Sequence, residues 1–203
     1  MKKRLHDKKA GIAILISLII ISLAEVIFRA VALHEIVFTT PNFGEQLATI
    51  VLSAFIIIMT LKGKDRICYI CYGAWLGCFV LDQLFGLPGM IANFAIYIGN
   101  PGTLPILIRI IGMICIIAIG ALLVEYMNDG TIHNRAFNAL SVITIVLYII
   151  SIVIGAFDLA NGMPIDVSLD MFNKAKDITM IFLFTSFAYD SAKAQLKKTN
   201  LTK

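Results

Sequence analysis

Six long apolar runs, divided by short cationic segments, govern what this chain can become. Thirteen of its seventeen Lys and Arg residues fall in four places: 2–9, 62–66, Arg135 and 193–203. A bilayer hydrocarbon core about 30 Å thick takes ~20 apolar residues per helix. Windows of that kind cover 10–33, 45–61, 67–87, 103–127, 136–157 and 174–192. Together they leave almost nothing for a soluble domain. With 59% of 203 residues hydrophobic and only 15% charged, the chain also lacks the polar surface such a domain would need. The expected fold class is therefore all-α, a polytopic membrane helix bundle of six transmembrane helices forming a single integral membrane domain over 1–203.

Charge orients the bundle. Loops rich in Lys and Arg stay on the cytoplasmic side, which puts 2–9, 62–66, Arg135 and 193–203 inside and both termini in the cytoplasm. The loops after spans 1, 3 and 5 hold only Lys174 and Lys176, and the last of these loops is acidic through Asp158, Asp166 and Asp170. Lys62-Gly63-Lys64-Asp65-Arg66 reads as a tight turn, as does Asn128-Asp129-Gly130. The uncharged stretch 88–102, with Pro88, Gly89, Gly99 and Pro101, encloses an apolar run too short to span. It is expected as an outer interfacial or re-entrant segment, the alternative being an apolar loop that covers the bundle. The N-terminus has the layout of a signal peptide, but Glu25 and Arg29 interrupt it before the small-residue site Ala30-Val31-Ala32, so span 1 is expected to be retained. The net charge of +4 sits in the cytoplasmic segments. It serves topology and attraction to anionic membrane lipid, and offers no folded basic surface for nucleic acid.

Ionisable residues inside spans are costly, so each is a functional candidate. Given the expected orientation, Glu25, Arg29, Asp82, Arg109 and Asp177 come from four helices yet share the outer half of the bilayer. Glu25 and Arg29, four apart, can pair along span 1. Cys71, Trp75, Cys78 and Asp82 make one stripe of span 3. Asn93 and Tyr97 lie in the neighbouring outer segment and can roof a cavity. Two arrangements fit these residues. In one they are self-neutralising bridges, Glu25–Arg29 and Asp82–Arg109, that help the helices pack. In the other they line an outward-opening pocket. There the arginines clamp a carboxylate or phosphate, and Glu25 and Asp82 take an ammonium group or a proton.

Other signals are weaker. Cys68-x-x-Cys71 has no partner pair, so no metal site is expected, and the four cysteines read as reduced, buried thiols acting as small hydrophobes. Gly73-x-x-x-Gly77, Gly112 and Gly120 read as close-packing positions within the chain, with homodimerisation the minor alternative for the first pair. No nucleophile elbow, zinc-protease helix or phosphate-cradling glycine loop is present. No enzymatic activity and no cofactor are expected.

The leading expectation is binding and transmembrane transport of a small anionic or zwitterionic organic solute. In size and span count the chain resembles the substrate-capturing subunits of vitamin transporters, a resemblance of architecture alone. It implies separate ATPase or other membrane subunits as partners. Proton coupling through Glu25 or Asp82, or assembly into a homo-oligomer, are the alternatives. The competing function is a non-transport interaction or immunity-type membrane subunit, and behind it an intramembrane lipid-modifying enzyme. The expected location is the cell membrane, and the Ile- and Lys-rich usage points to a bacterium.

Overall fold

A computed structural model of the protein describes residues 8–32, 41–98, 103–129, 134–161 and 170–185. Among them the structure is entirely helical: α1 Lys8–Ala32, α2 Pro41–Leu61, α3 Asp65–Tyr97, α4 Thr103–Asp129 and α5 Asn134–Ala160, then α6 over 170–185. Five helices are long and apolar enough to cross a membrane: Lys9–Ala32, Phe43–Leu61, Ile70–Ile96, Thr103–Glu125 and Arg135–Phe157. Their outer faces carry exposed Ile27, Val51, Phe85, Val142 and Phe157 among many others. Apolar area on that scale belongs against lipid, and the protein is a multi-pass membrane protein.

The α2–α3 connection follows from one glycine. Gly63 has φ 69°, a left-handed conformation open to a residue without Cβ. It lets the Lys64 amide reach the Met59 carbonyl at 2.9 Å and the Gly63 amide reach Thr60 at 3.1 Å. This pair of bonds is the Schellman closure of a helix C-terminus. The chain turns back within three residues, so α2 and α3 run antiparallel.

The expected separate segment at 88–102 is not separate as far as Tyr97. Helix α3 continues unbroken for 33 residues with Pro88 inside it. Proline removes a backbone donor and ends helices in water, but in lipid the backbone has no other partner, and membrane helices tolerate it. At 1.5 Å per residue α3 is about 50 Å long. That exceeds the ~30 Å hydrocarbon core, so the helix tilts or projects beyond it.

Helix α6 begins no later than residue 170, ahead of the expected 174, and it is the central element. Every described residue of it except Phe182 is buried or half-buried. It touches α1 through Phe28–Phe172, with ring centroids 5.6 Å apart, and α3 through Phe79–Phe184 at 6.4 Å. Ion pairs and hydrogen bonds join it to α2, α4 and α5. The least apolar helix thus occupies the position most shielded from lipid, where its charges can meet partners rather than hydrocarbon.

Packing divides the bundle into two ends. One is an apolar cluster that includes Leu15, Ile56, Tyr72, Leu123, Phe137, Leu183 and Phe184. Tyr148 with Ile108, Ile116 and Ile181 forms a smaller one. Gly112 and Gly120 permit the approach expected of them: a Cβ on Gly112 would fall on the Tyr148 ring, and one on Gly120 on Val80. Gly77 differs, since nothing lies within 4 Å of where its Cβ would be. The cysteines are free, but Cys78 is exposed rather than buried.

Candidate functional site

At the other end of the bundle the ionisable residues converge, and α6 organises them. Its first turns bring Asp170, Lys174, Lys176 and Asp177 in succession. Asp170 and Lys174, four apart, form an ion pair along the helix. Lys174 also donates to Ser151 Oγ of α5 at 2.6 Å. The Arg109 guanidinium of α4 reaches Asp170 Oδ1 at 3.4 Å. This contact is long, and the Arg109 side chain is 44% exposed, so most of its five donors remain open.

A second network lies across α6. Lys176 Nζ stands 3.0 Å from Glu25 Oε2 and 3.3 Å from Glu45 Oε1. Arg29 Nε donates to the other Glu25 oxygen at 3.1 Å. The order Arg29–Glu25–Lys176–Glu45 ties α1, α6 and α2 together with alternating charge. Glu25 is 1% exposed at its side chain. So buried a carboxylate is sustained by the two cations that flank it.

Between the networks is a cavity of about 300 Å³. All six helices contribute to its wall, α1 through Leu18 and α2 through Glu45 and Thr49. Trp75, Phe79 and Asp82 form one stripe of α3, spaced four and three residues apart, and Tyr148 closes the α5 side. Asp82 is exposed and Asp177 half-buried. The Asp82 carboxylate accepts from Gln83 Nε2 at 3.2 Å. Among the described residues neither Asp82 nor Asp177 has a cation within ion-pair distance.

Of the residues singled out from sequence, Trp75, Asp82, Arg109 and Asp177 line this cavity. Glu25 and Arg29 stand one layer behind it, joined to its wall through Lys176. Asn93 lies exposed on the distal part of α3, away from the cavity. Tyr97 ends α3, and its side chain lies outside the described residues. The Asp82–Arg109 bridge, part of one of the two arrangements the sequence allowed, is replaced by Arg109–Asp170, because the start of α6 brings a carboxylate to the arginine. The sequence reading missed Glu45, Gln83, Tyr148, Asp170, Asn173, Lys174 and Lys176. One signal was available: Arg29, Arg109, Lys174 and Lys176 are the four cations outside the basic segments, and they are the four that gather here.

No family model, curated protein or solved structure matches this chain, so the functional argument rests on the site itself.

Proposed function

We propose that the protein binds a small zwitterionic or anionic organic solute in this cavity and carries it across the cell membrane. In this reading the chain has six spans with both termini cytoplasmic, and the cavity opens outward. The positive-inside distribution of charge supports the orientation. The observation that carries the reading is the cavity between the networks, with Arg109 only lightly engaged by Asp170 and with two carboxylates left unpaired. Packing alone would favour closing such groups against one another, because an uncompensated charge near a bilayer core costs several kcal/mol. Pockets for small molecules begin at roughly this volume. Energy for transport comes from partner subunits such as an ATPase, or from a proton.

The test is direct. Protein purified from its own membrane should carry a small polar molecule identifiable by native mass spectrometry. Arg109→Ala should reduce its occupancy by about tenfold or more while leaving the unfolding temperature of the ligand-free protein unchanged. A spectrum showing only lipid ends the reading.

A second reading is favoured by a specific observation, the closed Arg29–Glu25–Lys176–Glu45 network. These residues pair with one another across three helices, as an interaction subunit held together by internal bridges would require. That reading explains the network but leaves the cavity beside it without a role.

A further inference from the structure

The charges around the cavity can be matched one by one. Asp170 is shared by Arg109 and Lys174, and Lys176 is held by Glu25 and Glu45. Both lysines are therefore committed, and each has its side chain less than a tenth exposed. What remains unmatched in the wall is acidic: Asp82 and Asp177. Counted at full charge, the wall holds four carboxylates (Glu45, Asp82, Asp170, Asp177) against three cations (Arg109, Lys174, Lys176). Glu25 and Arg29 behind it cancel. A ligand that is only an anion would meet two carboxylates that no cation pairs among the described residues.

The aromatic lining bears on the same question. Trp75 and Phe79 precede Asp82 on one stripe of α3 and face the cavity with it. The face of an aromatic ring attracts an ammonium group, tryptophan most strongly. Aromatic faces beside unpaired carboxylates form the usual surroundings of a bound organic cation.

The geometry points to an ammonium seat: the ligand enters with an amino group held by Asp82 and Asp177 against Trp75 and Phe79. This rests on the solute-binding reading above and narrows it from an anion or zwitterion to a ligand that must carry a positive nitrogen. Arg109, also in the wall, is left to receive an acidic group where the ligand has one. The cation that Asp82 and Asp177 lack is then supplied by the ligand.

The test uses three matched series on the full-length protein in detergent micelles: ω-amino acids from glycine up to aminohexanoate, the corresponding n-alkylamines, and the corresponding carboxylates. Binding is read as a shift in unfolding temperature and as a dissociation constant by calorimetry. At least one length of amino acid or amine should bind while its carboxylate counterpart does not. Asp82→Asn and Asp177→Asn should each weaken that binding about tenfold or more. Should either variant fail to fold, Trp75→Leu decides, lowering amine affinity several-fold by removing the ring face. If carboxylates bind as well as amino acids and amines not at all, the ammonium seat is overturned and the solute pocket stands. The seat is equally overturned if the Asn variants, or Trp75→Leu where it decides, bind as the wild type does. If no compound of any series binds, the solute-binding reading itself falls, and the seat with it.

Discussion

Glu25 is a carboxylate between two cations, and its neighbours are not equivalent to it. Removing Arg29 leaves Glu25 with Lys176, and removing Lys176 leaves it with Arg29. Removing Glu25 instead breaks two buried ion pairs at once, those to Arg29 and Lys176, and leaves Lys176 with the exposed Glu45. Glu25→Gln should therefore be the most damaging of the three neutralisations, costing about 3–5 kcal/mol, with Arg29→Gln and Lys176→Met costing less. Denaturant titration in micelles would rank them, and a ranking with Glu25→Gln mildest would contradict the network. The same residues show what chain order conceals. Glu25 and Arg29 can be paired from their spacing alone, because four residues is a helical neighbour distance. Glu45 and Lys176 are separated by 131 positions, and nothing local marks them as partners. Asp82 and Arg109 were matched by depth, which was right as to layer and wrong as to partner, because depth carries no angular information.

At the scale of the element, helices were legible wherever lipid solvates them. Helices α1, α2, α4 and α5 are apolar on nearly every side, and their windows come directly from hydropathy. Helix α3 reads from sequence as ending at residue 87, because the stretch beyond is rich in Pro and Gly and its apolar run is too short to span, whereas the helix runs on to Tyr97. Helix α6 reads from sequence as beginning at 174, with Asp170 in the acidic loop before it, whereas Asp170 is already helical and its charge turns inward to Arg109 and Lys174. Glycines separate packing from open surface in the same way. Gly112→Ala and Gly120→Ala should each cost about 1–3 kcal/mol through overpacking. Only Gly112→Ala should also alter ligand binding, because the side chain it displaces is Tyr148, a wall of the cavity. Gly77→Ala, with open space around it, should stabilise by up to about 1 kcal/mol through helix propensity. Thermal unfolding of the three variants checks the order, and a destabilised Gly77→Ala would place a neighbour against that face.

For the whole molecule, composition and charge distribution made the class of protein legible, and the convergence of charges at one end was legible from alternating helix direction. Sidedness is the next quantity to measure. With the native cysteines replaced, a thiol introduced by Lys62→Cys, at the exposed α2–α3 turn, should react with an impermeant reagent only after cells are opened. Reaction in intact cells would invert the proposed orientation and turn the cavity towards the cytoplasm.

The helix in contact with all the others also follows them in the chain, and this bears on how the protein is made. While α1–α5 enter the bilayer, Glu25 and Arg29 have each other, but Arg109 still lacks Asp170 and Glu45 lacks Lys176. Five inserted helices must hold an unfilled slot, edged with polar groups, until α6 leaves the ribosome. Biogenesis therefore has a late committed step, in which arrival of a single hydrophilic helix both supplies the partners of Arg109 and Glu45 and shapes the chamber.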